Sequence, residues 1–329
     1  MFDPDLNAIA SWIRENGYGK VAVQLPEGLK ADALRISASL SGSTNAEVII
    51  LGDPCYGACD LFADYRKYAD ALVHLGHSPM HPQERDKDVL FAEVRADPDI
   101  EGPVRAAAEK LPKRVGLLAT VQYVGLIPKA KEILEDAGKE VFVGRGDRRI
   151  HYPGQVLGCN FSSAVSVEDR AEAFLYLGEG DFHPLAAAFG VKKEMIIINP
   201  LTGEIRSVDE ARDRMLRKRF AVIEAAKSAE TFLVIVCTKT GQNRPEAADR
   251  IIGMIRERGK TAYKLVIGEI GPEALLPYKV DAYISTACPR IAMDDSARYP
   301  KPMLTVTEAE IALGPREWEK YEFDSITNP

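Results

Sequence analysis

The sequence predicts an α/β protein built from three similar parallel-sheet domains around a pseudo-threefold axis. A strand-helix-strand pattern recurs three times, the third strand of each recurrence closes on a proline, and Pro79, Pro184 and Pro289 fall at equal intervals. A repeat is read before any single motif because it fixes the architecture. Alternating strands and helices imply parallel sheets with right-handed crossovers, whose functional loops lie beyond the carboxyl ends of the strands.

Each unit opens on an apolar, β-branched run that ends in a polar turn, at residues 20–25, 114–120 and 231–237. Such runs read as buried strands. Helices follow, clearest at 127–138 and 245–259, where apolar residues recur every three or four positions before Gly138 and Gly259. Second strands are expected at 47–51, 140–143 and 262–267, and third strands at 71–79, 174–184 and 280–289. Residues 89–96 read as an extra strand with no place in the repeat. An amphipathic helix over about 208–228 introduces the third unit. Turn-rich linkers at 97–103 and 199–203 divide the chain into domains 1–98, 99–205 and 206–329.

The 329 residues are 46% hydrophobic and 28% charged, an ordinary globular composition that excludes a largely disordered chain. A net charge of -7 offers no basic footprint for direct nucleic-acid binding. Acidic and basic residues interrupt the first seventeen positions, so no signal peptide is read there, and no apolar run is long enough to span a membrane. A cytoplasmic protein is expected. Five cysteines without an export signal argue against a disulfide framework.

Cys59 and Cys159 follow the second strands of their units, and Cys288 follows the third strand of the last. Three units around one axis would aim these loops at one centre. Thiolates are the usual ligands of a cubane cluster, and three of them leave one iron open. The structural alternative is that free cysteines pack as small hydrophobes, the preferred reading for Cys237 at the end of an apolar run. Cys55 stays open as a ligand, because its spacing to Cys59 would let both face one metal from a single helical turn. No Cys-x-x-Cys motif supports a zinc ribbon or a ferredoxin.

The stretches Leu25-Pro-Glu-Gly28, Gly52-Asp-Pro-Cys-Tyr-Gly-Ala-Cys59, His74-Leu-Gly-His77, Gly154-Gln-Val-Leu-Gly-Cys159, Tyr176-Leu-Gly-Glu-Gly-Asp-Phe-His183 and Thr286-Ala-Cys-Pro-Arg290 together resemble the archaeal diphthamide synthase family of the first pathway step. The resemblance covers all three units in order. It implies a homodimer with one 4Fe-4S cluster held by Cys59, Cys159 and Cys288, leaving Cys55 without metal. It also implies S-adenosylmethionine as cosubstrate, cleaved between sulfur and the γ-carbon after reduction by an external electron donor. The 3-amino-3-carboxypropyl group would pass to a histidine of translation elongation factor 2. The ordinary radical signature Cys-x-x-x-Cys-x-x-Cys is absent, in keeping with the unusual bond cleaved.

Further candidates are Gln122 for the amino or carboxylate group of the methionine part, Gly178 and Gly180 for close backbone approach, and Arg290 for a carboxylate. The bland readings are surface polarity, turn chemistry and a surface salt bridge. His77 and His183 precede their prolines and could position substrate or move a proton, with loop hydrogen bonds as the alternative. On an extended strand His74 and His77 would point to opposite faces. Glycines beside Cys59 and Cys159 would admit a bulky core, and the 145–149 run reads as a solvated loop. Three other readings compete: a quinolinate-synthase-like dehydratase, a non-catalytic electron-transfer subunit, and a metal-free ligand-binding protein.

Overall fold

The computed structural model describes residues 4–80 and 86–327. The outer ends of the first and third expected domains, 1–3 and 328–329, lie outside the described residues.

The first sheet runs in the order β2-β1-β3-β4, from β1 (Lys20–Gln24), β2 (Glu47–Leu51), β3 (Ala71–Leu75) and β4 (Val89–Ala92). The second takes β5 (Arg114–Ala119), β6 (Glu140–Phe142), β7 (Ala173–Leu177), β8 (Glu194–Ile198) and β9 (Ile205–Ser207) in the order β6-β5-β7-β8-β9. The third repeats the first as β11-β10-β12-β13, with β10 (Thr231–Cys237), β11 (Thr261–Ile267), β12 (Ala282–Ser285) and β13 (Met303–Leu304). Every described pairing is parallel except β8 with β9.

The repeat therefore has a fourth parallel strand, which the sequence showed in the first unit alone. The unplaced segment at 89–96 supplies β4, equivalent to β8 and β13. In the second unit the third strand stops at Leu177 and not at Pro184, because Pro184 already lies in the first turn of a helix.

Eleven helices occupy the described crossovers and flanks: α1 (Leu6–Asn16), α2 (Ala33–Thr44), α3 (Glu101–Ala108), α4 (Ile127–Asp136), α5 (Ser162–Val165), α6 (Phe182–Val191), α7 (Asp209–Lys227), α8 (Pro245–Glu257), α9 (Pro272–Leu275), α10 (Pro289–Met293) and α11 (Val306–Ala312). Their local logic is plain in α1. Asp5 accepts the Ala8 N–H at 2.9 Å to cap it, Gly17 ends it at φ 68°, and Ile9 and Ile13 face the sheet.

Strand alternation fills both faces of each sheet. Val21 and Val23 pack under α1 and α2, whereas Ala22 and Leu72 face Tyr65 and Ala69. Phe174, Tyr176 and Ile197 of the second sheet share one core with Phe232, Val234 and Ile284 of the third, so these two units are welded together. Helix α7 matches its expected span but buries a charge: Arg219 donates to both Glu308 carboxylate oxygens, at 2.7 and 2.6 Å. It also donates to the Ala292 and Met303 carbonyls, each at 2.7 Å, which ties α7 to α10, β13 and α11 behind the Cys288 loop. A buried pair satisfied this fully specifies geometry more than it adds stability.

Candidate metal centre

Cys59, Cys159 and Cys288 line one cavity of about 180 Å³, each on a strand-end loop from a different sheet. Cys59 sits in a single 3-10 turn, Ala58–Asp60, after β2. Cys159 occupies the corner where Leu157 and Asn160 pair with each other, N–H to carbonyl at 2.8 and 3.2 Å. The Asn160 amide secures that corner by donating to Asp147 and to the Ile326 carbonyl, at 2.9 and 3.0 Å. Cys288 stands immediately before α10.

Loops of the third unit close over the first. Gln242 donates to Cys59 Sγ at 3.3 Å while its carbonyl accepts the Cys288 N–H at 3.4 Å, so one amide spans two of the three thiol positions. Gly241 lies so close to Cys59 that a Cβ there would sit 2.4 Å from the Cys59 Cα. Neither residue was singled out by sequence. Their signal was their place in the strand-end loop after β10.

Burial pushes the Cys59 thiol up to about 12, with proximity to Cys159 adding to the effect. Cys288 is raised by burial and then by the other two thiols. Cys159 is also raised by burial, but Arg149 and Arg244 act in the opposite sense. Three guanidinium groups surround the thiols. Arg149 donates to the Gly241 carbonyl at 3.1 Å, and its buried Nε finds no partner among the described residues. Arg244 makes a bidentate pair with Asp324 at 2.8 and 2.7 Å and donates to the Thr286 and Ala287 carbonyls, fixing the approach to Cys288. Arg290 lines the cavity and lowers Cys288.

Among the described residues, atoms able to share one ion lie within 4.8 Å of one another, and these three thiols do not form such a group. A wider donor set, a cavity lined by all three thiols, three cations and an orphaned Nε suit an anionic polynuclear cluster better than one ion.

The other expectations fare unevenly. Cys55 does not share a helical turn with Cys59, because 55–60 forms no α-helix; its thiol instead lies with His74 and His77. Those two rings do not diverge. Strand β3 ends at Leu75, Gly76 at φ 84° turns the chain, and His77 Nδ1 comes back to 3.0 Å from His74 Nε2. The 145–149 run is not wholly solvated, since Arg149 is buried against the thiol cavity. Gly158 makes room for the Phe182 ring, which a Cβ would meet at 1.8 Å, and not for a cofactor. Cys237 is buried, with Sγ 3.5 Å from the Gly268 carbonyl.

Arg290 pairs with Asp294 at 2.9 Å and stacks over Phe182 at 4.4 Å, so the salt-bridge reading and the cavity-lining one both hold. Gln122 lines the cavity and donates to the Gly76 carbonyl at 3.1 Å. Gly178 lies against the Tyr176 ring and Gly180 takes a left-handed φ of 68°; the turn they form carries Glu179 into a second cavity of about 300 Å³. His77, His183, Thr120 and Gln122 line both cavities and so form the wall between them.

Three repeated α/β units closing three thiols over one cavity define a class of three-unit thiol-centre proteins. Within it, the chain belongs to the diphthamide synthesis protein family, whose model matches residues 25–323. It is 39% identical over 319 residues to the 2-(3-amino-3-carboxypropyl)histidine synthase of Pyrococcus horikoshii, covering 95% of this chain and 91% of that one. It is 33% identical to human 2-(3-amino-3-carboxypropyl)histidine synthase subunit 1, covering 92% of this chain and 69% of the relative. The crystal structure of Dph2 from Pyrococcus horikoshii with a 4Fe-4S cluster superimposes with a TM-score of 0.89 at 35% identity, covering 100% of this chain and 95% of that one. Among the described residues no helix is long and apolar enough to cross a membrane.

Proposed function

We propose that this chain is a first-step diphthamide enzyme: it holds a 4Fe-4S cluster on Cys59, Cys159 and Cys288, cleaves S-adenosylmethionine between sulfur and the γ-carbon, and transfers the 3-amino-3-carboxypropyl group to a histidine of translation elongation factor 2. The observation that carries this reading is the convergence of three thiols from three units on one cavity. When bound, a cluster with three protein thiolates supplies an open iron and a low-potential electron for cleaving the sulfonium.

The chain's own residues hold and orient. Arg149, Arg244 and Arg290 offset the negative charge of the ligand set. Arg290 can pair with the methionine carboxylate. Gln122 keeps its amide oxygen for the amino group, since its nitrogen is committed to the Gly76 carbonyl. The Gly178 to Gly180 turn presents Glu179 as an acceptor for hydroxyls in the outer cavity. His77 and His183 are held neutral by burial, each down to about 4, and so add no positive charge beside a cationic cosubstrate. The working form is a cytoplasmic homodimer served by an external one-electron donor.

Anaerobic incubation of this chain alone with S-adenosylmethionine, dithionite and elongation factor 2 tests the reading. Methylthioadenosine and a protein product heavier by one 3-amino-3-carboxypropyl group are expected. Absence of both would return the chain to the dehydratase class. Because the human relative's name includes "subunit 1", a strict requirement for a second protein would reassign this chain as one part of a mixed complex.

A further inference from the structure

A buried amide sets the proton positions of the two clustered histidines. Gln24, at the end of β1, donates through Nε2 to the Asp60 carbonyl at 2.7 Å, and its Oε1 accepts the Phe62 N–H at 3.2 Å. With the amide oriented by these bonds, Oε1 only accepts. His74 Nδ1, 2.9 Å away, therefore carries the ring proton. His74 is fully buried and kept neutral by that burial, so its Nε2 is a bare lone pair. The nitrogen facing it at 3.0 Å, His77 Nδ1, must then be protonated. His77 is neutral for the same reason, which leaves its Nε2 bare. The Leu75 backbone also hydrogen-bonds the His77 ring, and the ring lines both the thiol cavity and the outer one.

We propose, resting on the function above, that His77 Nε2 is the base that removes the carbon-2 proton of the acceptor imidazole, with Gln24 and His74 as its positioning residues. Addition of the 3-amino-3-carboxypropyl radical forms the new carbon-carbon bond and leaves a ring radical still bearing its hydrogen at carbon 2. Restoring aromaticity breaks that C–H bond. One electron leaves to the oxidised iron-sulfur centre of the proposed function, and the proton goes to His77 Nε2, giving an imidazolium. A weak base suffices because the cationic adduct regains an aromatic ring on losing this proton. His183 shares the cavity wall, but no described hydrogen bond selects its tautomer.

A single metal ion shared by Cys55, His74 and His77, whose donor atoms lie within 4.8 Å of one another, is the competing use of this cluster, with the facing nitrogens His74 Nε2 and His77 Nδ1 as its imidazole donors. It would need His77 Nδ1 unprotonated and so would remove the base from the cavity.

The test uses the loaded enzyme and its variants His77→Gly and His77→Gln; the latter keeps a donor for His74 but offers no base. Both are expected to retain the broad iron-sulfur absorption and to form methylthioadenosine. Product per methylthioadenosine should fall about 100-fold, within the usual range for losing a general base. Exogenous imidazole should restore coupling in His77→Gly, and deuterium at carbon 2 of the acceptor histidine should slow the variants more than the parent. Elemental analysis should find no stoichiometric metal besides iron. If His77→Gly loses its cluster, the His77→Gln variant and the isotope effect still decide. Parent-like coupling in a cluster-loaded variant, or a second metal lost on Cys55→Ala, would overturn the proposal and leave the function standing. Failure of the parent to make methylthioadenosine would instead remove the function itself.

Discussion

Two clusters of soft, buried side chains lie within a few residues of each other, and they are built for opposite charge states. Around Cys59, Cys159 and Cys288 stand Arg149, Arg244 and Arg290. Around Cys55, His74 and His77 stand the Gln24 amide, the Gly57 and Leu75 backbone, and the Lys239–Asp60 ion pair, whose two charges act on Cys55 in opposite senses. Burial beside an ion pair whose charges cancel keeps a group neutral, whereas burial beside several guanidinium groups prepares a site for thiolates and a negative core. Residue type alone does not separate Cys55 from Cys59; proximity to Cys159 and Arg149 does.

The sharpest way to break this comparison is to exchange the cysteines. Replacing Cys59, Cys159 or Cys288 by Ala should abolish cluster retention and methylthioadenosine formation, while Cys55→Ala should keep both, as read by iron and sulfide analysis. Parent-like iron content in Cys59→Ala would erase the distinction. Next in size is Arg149→Met, which removes a cation beside Cys159 and should lower iron retention by about 10- to 100-fold in a chelator challenge, the range typical of groups that support metal ligands. The same substitution at exposed Arg148 should do nothing measurable.

The two clusters should also fail at opposite ends of the pH scale. His77 and His183 titrate near 4 in the folded chain and near 6.5 when unfolded, so the unfolded state binds more protons between those values. Stability is then present above pH 6.5 and is lost as pH falls toward 4, by on the order of 3 kcal/mol per buried group. Cys59 is raised from 9.0 to about 12, so metal-free protein should lose stability as pH rises through that window. Cluster-loaded protein should not show the alkaline loss, because its thiolates are already formed. Thermal melts of both forms from pH 4 to pH 11 would show this.

The smallest effect is expected at Gly241→Ala. A Cβ 2.4 Å from the Cys59 Cα forces one loop away from the other at a cost of about 1–3 kcal/mol. The melting temperature should fall modestly and the cluster should be lost faster. An unchanged cluster half-life would mean that the two loops do not depend on this close approach.

The sequence was legible where the physics is local. Strand runs, helix spans and the three-fold recurrence follow from periodicity, and the fourth strand of the later units was missed because the repeat pattern closes each unit at its third strand and Met303–Leu304 is only two residues long. Cys59, Cys159 and Cys288 were visible as candidates because parallel sheets put their working loops at strand ends, though only the family resemblance set Cys59 above Cys55.

Sequence by itself determined the α/β class, the repeat, and a short set of thiols and polar residues at strand ends. Tertiary structure decided which of them meet. It brought Gln242 and Gly241 to Cys59, drew Arg149 out of an apparently solvated run, and folded His77 back onto His74. The reason is that periodicity fixes which face of an element is buried but says nothing about the direction a chain takes once it leaves that element. At Gly76 a single left-handed turn reverses the expected direction of a ring, and no residue count along the strand records it.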